Sequence, residues 1–166
     1  MAGKAWVFGD NIDTDNIFPT QFGGDATLQA IGSHAFYDYR PEFAPKVKPG
    51  DVIVAGYNFA CGSYRETAAL CLKVGGIGVV IARSFSRAFY RNAVNNGLWL
   101  ITIDDQEFDC PDGSILEVDP RAGLITNTAT GKQIKGTPLA GIAVEIVEAD
   151  GATNYFKPMV LHPVSK

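Results

Sequence analysis

Histidine and cysteine are scarce in this chain, and widely spaced. Its 166 residues hold two histidines, His34 and His162, and three cysteines, Cys61, Cys71 and Cys110. An odd, scattered set of thiols excludes a disulfide framework and fits reduced cysteines in the cytosol, so a cytoplasmic location is expected. It also lacks the close thiolate spacing of a self-contained zinc or iron–sulfur site, so no metal is expected in this chain itself. Long apolar runs are missing too. Nothing reaches the roughly 18 residues that read as a bilayer span, and the stretch from Met1 to Asp10 meets an acid too early for a signal peptide, so no membrane association is expected. There is no basic excess. Fourteen Lys and Arg face 18 Asp and Glu, a formal charge of −4, which leaves no clustered cations for nucleic-acid phosphates. No G-x-x-x-x-G-K-[ST] loop occurs, and Gly76-Ile-Gly78 precedes an apolar run instead of following one, so neither common nucleotide-phosphate cradle is present.

What the chain has is 46% hydrophobic residues and 18 glycines, the make-up of a loop-rich globular protein whose length suits one domain over residues 1–166. Ala5-Trp-Val-Phe8 reads as a short strand, ended by the turn-forming stretch Gly9 to Asn16, with Ile12 and Ile17 as its buried pegs. Residues 23 to 50 read as irregular, with one short helix within Leu28 to Tyr39. Pro41, Pro45 and Pro49 exclude a long helix there.

Asp51 to Ala55, Gly78 to Ala82 and Leu98 to Thr102 are continuous apolar runs, the pattern of strands covered on both faces. Between them lie Ser63 to Val74, stopped by Gly75-Gly76, and Ser84 to Asn96, opened by Ser84 as cap and ended by Gly97. This alternation predicts a parallel β/α core with right-handed crossovers. Ser114 to Val118, Gly123 to Thr126 and Lys132 to Lys135 alternate in polarity between turn-like segments and predict an added antiparallel meander. A last helix is expected from near Pro138, with Leu139, Ile142, Ala143 and Ile146 on one face and a break at Gly151. The tail, from about residue 154 to 166, is expected either to be loose or to dock on a partner. The fold class is therefore α/β.

The densest chemical constellation is Gly56-Tyr-Asn-Phe-Ala-Cys-Gly-Ser-Tyr-Arg-Glu66, between a parallel strand and the helix after it. Ligands of open α/β sheets bind at such carboxyl ends. Gly62 lets the backbone approach closely, Ser63 brings a hydroxyl, and Arg65 brings a planar fork matched to a carboxylate or phosphate. Ser63 and Glu66 also stand at capping-box spacing, which requires no ligand. A capping box leaves unexplained the cation Arg65 in the first turn, where the macrodipole disfavours it and a bound anion would account for it. Asp13-Thr-Asp15 reads either as a solvated turn with Asx bonds or as a site that positions a cation or proton. A hydrolase triad would need His34 to fold over Ser63 and is disfavoured.

Three segments in order, Gly9-Asp-Asn-Ile-Asp-Thr-Asp15, Cys61-Gly-Ser-Tyr-Arg-Glu66 and Ala82-Arg-Ser-Phe-Ser-Arg-Ala-Phe-Tyr-Arg-Asn92, followed by Gly97-Leu98, resemble the aconitase swivel-domain family over roughly residues 5 to 150. For a chain of this length the resemblance is greatest to the small subunits of 3-isopropylmalate dehydratase. It implies a swivelling β/β/α domain and reversible removal of water from a hydroxylated di- or tricarboxylate. It also implies a large-subunit partner carrying a [4Fe-4S] cluster, with the small subunit closing the site. By motif match Ser63 is the catalytic base, Arg65 the ligand of a substrate carboxylate and Asp15 an acid of the active site. Gly62 and Tyr64 flank them and are expected to line the substrate. Because a free hydroxyl is a weak base, such a serine needs positive potential around it in a closed cleft.

Two departures bear on the substrate. The family's usual run is C-G-S-S-R-E-H, whereas Tyr64 stands here for the second Ser and Thr67 for the His. The segment Thr20-Gln-Phe-Gly-Gly24 also lacks the Arg-Tyr-Leu-like stretch common where isopropylmalate is handled. A methylmalate, a dimethylmalate or a related hydroxy-diacid is therefore an alternative substrate. A non-catalytic anion-binding module on the same fold is the competing class.

Overall fold

The computed structural model describes residues 1–24, 27–104, 108 and 110–161; His162 and the last residues of the expected tail lie outside them. Among the described residues eight strands form one sheet. Its parallel centre consists of β1 (Ala2–Val7), β2 (Val52–Ala55), β3 (Val79–Ala82) and β4 (Trp99–Thr102) in that spatial order. β5 (Ile115–Asp119), β6 (Leu124–Asn127) and β7 (Gln133–Lys135) extend it antiparallel beyond β1, and β8 (Thr137–Pro138) closes the far edge on β4. β1 serves both halves: Ala5, Trp6 and Val7 pair parallel with Val52, Ile53 and Val54, while Ala2, Gly3 and Lys4 pair antiparallel with Glu117, Leu116 and Ile115.

The burial pattern follows from the composition of each strand. β2 and β3 are buried at every residue, whereas β5 and β7 alternate. Ile53, Ala55, Val80 and Ala82 face a core shared with the helices; Val52, Val54, Val79 and Ile81 face a second core with Leu116, Val118, Ile125 and Ile134 of the meander. The antiparallel strands thus fold back to cover the face the helices leave open. This is how an apolar run on both faces is satisfied without a second helix layer.

The helices are α1 (Thr14–Ile17), α2 (Leu28–Ser33), α3 (Phe43–Lys46), α4 (Thr67–Val74), α5 (Arg87–Asn95), α6 (Ile142–Glu148) and α7 (Ala152–Leu161). The irregular segment around α2 and α3 is pinned by aromatic contacts. Phe8 stacks on Phe36 at 4.3 Å, and Phe43 meets Phe36 at 4.8 Å and Trp6 at 4.9 Å. Each such pair contributes about 0.5–1.5 kcal/mol beyond its buried area.

Four expectations need correction. α4 begins at Thr67, not at Ser63, and no capping box joins Ser63 to Glu66: the Ser63 side chain turns to another element, and Glu66 Oε1 accepts from Asn96 Nδ2 at 2.9 Å. α5 is capped by Ser86, not Ser84; Ser86 Oγ accepts from the Phe89 N–H at 3.2 Å, while Ser84 Oγ accepts from the Asn58 N–H at 2.7 Å. Pro138 lies in β8, and the next helix starts only after Gly141, whose φ of 58° breaks the chain direction; Ile142 is consequently exposed. Part of the expected tail is the helix α7.

Candidate active site

The loops leaving β1, β2 and β3 run side by side past the carboxyl ends of the strands and continue the sheet's pairing in miniature. Asp13 bridges Cys61, and Phe59 bridges Phe85, both in parallel sense. Cys61 N–H donates to the Ile12 carbonyl at 3.1 Å, Thr14 N–H to the Cys61 carbonyl at 2.8 Å, and Phe59 N–H to the Ser84 carbonyl at 2.9 Å. The buried pegs Ile12 and Ile17 hold the first loop down, and Phe59 packs edge-on against Phe85 and Phe89 in the second. Three sequence segments are therefore one structural unit.

α1 is a single turn that the sequence builds with care. Asp13 caps it: its Oδ1 accepts the Asp15 N–H at 2.8 Å, and Asn16 Oδ1 accepts the Asp13 N–H at 3.0 Å, a capping box of local origin. Gly62 lies against that cap with φ of 97°, and a Cβ there would sit 2.8 Å from Asp13 Cγ. Only glycine satisfies both the backbone angle and the space.

Ser63 is half-buried, and its hydroxyl is held from two sides. Thr14 Oγ1 lies 2.8 Å away, and Arg65 Nε donates to it at 3.1 Å. Thr14 Oγ1 also accepts the Ser63 N–H at 3.0 Å, which fixes the loop at the serine's own backbone. Thr14 is 2% exposed. Arg65, whose side chain is 30% exposed, forms an ion pair through Nη2 with Asp15 Oδ1; the Asp15 side chain is 59% exposed and also accepts from Thr20 Oγ1 at 3.2 Å. The remaining nitrogen, Arg65 Nη1, is buried with no hydrogen-bond partner. A buried donor without an acceptor costs about 1–3 kcal/mol or more, a standing demand for an anion or other acceptor.

The predicted residues Asp15, Gly62, Ser63 and Arg65 thus meet in one place. Tyr64 is adjacent but differently disposed. Its ring is 87% exposed, at a groove lined by Arg87, Ala88, Arg91 and Asn92, and its carbonyl accepts from Asn92 Nδ2 at 3.1 Å. His34 stacks on Phe22 at 3.7 Å, while the Ser63 hydroxyl is engaged by Thr14 and Arg65. Thr14 was not singled out from the sequence, although it lies between the two acids that were. Among the described residues no group of three or more His, Cys, Asp or Glu side chains comes together as a metal site. Nor is any helix among them long and apolar enough to cross a membrane.

Fold and motif order define a class. The model of the aconitase C-terminal domain matches residues 4–106, a span that contains every residue of the site, and the chain belongs to that family. Its similarity is also specific within the family. It is 42% identical over 160 residues to a 3-isopropylmalate dehydratase small subunit of Nautilia profundicola, covering 96% of each chain. It is 42% identical over 156 residues to the methanogen homoaconitase small subunit of Methanothermobacter thermautotrophicus, covering 94% of this chain and 90% of the other. The crystal structure of a 3-isopropylmalate dehydratase from Methanocaldococcus jannaschii superposes with a TM-score of 0.90 at 43% identity, over 96% of this chain and 95% of that one. With this coverage the chain belongs among the dehydratase small subunits of the aconitase family.

Proposed function

We propose that this chain is the small subunit of an aconitase-type hydro-lyase that dehydrates and rehydrates a hydroxy-dicarboxylate such as 3-isopropylmalate. It acts as a single domain that closes over a large subunit. The observation that carries this reading is the pairing of the Ser63 hydroxyl with Arg65, whose Nη1 is buried and unsatisfied. Small-subunit relatives that match nearly end to end support it.

In this reading Ser63 is the base that takes the proton α to a substrate carboxylate. Its oxyanion is stabilised by the guanidinium, because opposite charge favours the ionised form most where water is excluded. Arg65 presents its fork to the substrate carboxylate, and Asp15 holds the guanidinium in plane. An exposed pair of that kind contributes at most about 1 kcal/mol, weak enough to yield when substrate arrives. A [4Fe-4S] cluster on the large subunit supplies a Lewis acid for the substrate hydroxyl. This chain's part is to bind, to orient and to move the proton at Ser63 Oγ. The half-open site becomes a water-excluding cleft only against the partner, so the chain alone is inactive.

The test is anaerobic assembly with a cluster-bearing large subunit, assayed on isopropylmalate, methylmalate, dimethylmalate and a hydroxy-tricarboxylate. The complex should turn over one of these acids, and Ser63→Ala should lower kcat by about 10²–10⁴-fold, the usual worth of a positioned base. Activity of the chain without its partner, or parent activity in Ser63→Ala, overturns the proposal. No turnover of any acid by an intact complex would favour an anion-binding module instead.

A further inference from the structure

We infer that Thr14 is a positioning residue for the reaction, a rotating hydroxyl that lets Ser63 Oγ carry or lack its proton without movement of any heavy atom. The inference rests on Ser63 being the base.

Thr14 Oγ1 has one proton to donate and two lone pairs, one of which accepts the Ser63 N–H at 3.0 Å while the other can accept the Ser63 O–H when that serine is neutral. Its proton has two destinations, Ser63 Oγ at 2.8 Å and Asp13 Oδ1 at 3.4 Å. When Ser63 is an alkoxide, the oxygen accepts the Thr14 proton at the short distance and the Arg65 Nε–H at 3.1 Å, two donors aimed at one negative charge. The alkoxide then takes the substrate's α proton. The C–H bond breaks and the O–H bond forms, the electron pair enters the new double bond, and the substrate hydroxyl leaves as hydroxide. Ser63, now neutral, no longer needs a second donor, and the Thr14 proton turns toward Asp13. Both states are served by the same three oxygens.

This fits what the site otherwise leaves unexplained. Thr14 is 2% exposed, so its hydroxyl has no water to fall back on, and burial of an unpaired hydroxyl is costly. The capping role of Asp13 keeps its carboxylate within reach while committing Oδ1 to the Asp15 N–H. A donor fixed before the charge develops requires no reorganisation when it does, which is where such groups contribute most to rate.

The test compares Thr14→Val, which keeps the shape and removes the hydroxyl, with Thr14→Ser, which keeps the hydroxyl, each assembled with the large subunit and assayed on whichever acid the parent complex turns over. Thr14→Val should lower kcat by about 10²-fold, in the range seen on removing one oxyanion donor, with KM changed less than about threefold. The pH at which kcat reaches half its plateau should move upward, because the alkoxide has lost a donor. Thr14→Ser should recover the parent rate within a few fold and restore the pH profile. Should Thr14→Val fail to assemble, Thr14→Cys, with its weak S–H donor in the same space, must show a reduced rate and the same upward pH shift. Parent-like kcat and pH profile in Thr14→Val or Thr14→Cys overturns the inference. So does a Thr14→Ser variant as slow as Thr14→Val, which would mean the methyl group matters and the hydroxyl does not. Ser63→Ala run in parallel separates the two claims: if it is inactive while Thr14→Val is normal, only the role of Thr14 falls; if it is active, both fall.

Discussion

Replacing Gly62 by alanine isolates the junction on which the site depends. Two costs can be worked from the geometry. The φ of 97° is left-handed, and an L side chain there costs roughly 1–2 kcal/mol. The added Cβ would also come within 2.8 Å of Asp13 Cγ and Oδ1, closer than carbon tolerates, so the carboxylate must leave its place. That removes the cap of α1, typically about 1 kcal/mol, for a combined loss of about 2–3 kcal/mol. For a domain of this size each kcal/mol lowers the melting temperature by about 2–4 °C, so a fall of roughly 4–12 °C is expected by calorimetry on the isolated chain. The double variant Asp13→Ala/Gly62→Ala divides the two costs. With the carboxylate already gone, the alanine should cost only its backbone term, leaving a coupling of about 1 kcal/mol between the positions. A Gly62→Ala protein melting within about 2 °C of the parent, or strict additivity in the double variant, would refute the reasoning.

Other substitutions probe separate features. Tyr64→Ser should leave stability within about 0.5 kcal/mol, since the ring is almost wholly solvated, yet change kcat/KM of the assembled enzyme unequally across hydroxy-diacids; equal shifts for all of them would show that the ring does not select substrate. Asp112 bears on acid stability. Burial pushes its carboxyl up, but the Arg40 hydrogen bond at 2.6 Å, the Val7 N–H and the nearby positive charge outweigh this and hold it below its ordinary value. A lowered carboxyl contributes stability that is complete above the unfolded value near 3.9 and is lost as the pH falls through the folded one. Asp112→Asn should therefore flatten the melting temperature against pH below about pH 4, and parallel curves for parent and variant would contradict this.

The parallel core was readable because β2 and β3 are buried at every residue, and only runs without polar interruption allow that. The meander was readable for the opposite reason, its strict alternation. What local pattern misassigned was the service of particular hydroxyls. Ser63 and Glu66 have the spacing of a cap, but the Ser63 hydroxyl and N–H are both claimed by Thr14, a residue distant in sequence and adjacent in space. The same happened at Ser84, drawn off by the Asn58 N–H, which left Ser86 to cap α5. The residues of the site were legible as types and in order. The bonds that give them their roles cross between loops, and no spacing rule sees across that gap.

β1 sits at the seam of the sheet, and this sets an order of assembly. Its pairs are Val52 to Val54 on one side and Ile115 to Glu117 on the other, so the strand made first waits longest for its neighbours. At roughly 5–20 residues per second of synthesis, Trp6 and Phe8 stay uncovered for several seconds, the interval in which a bare strand edge most readily joins another chain. Yield of intact protein should then depend less on the stability of the finished molecule than on growth temperature and on how crowded its nascent copies are.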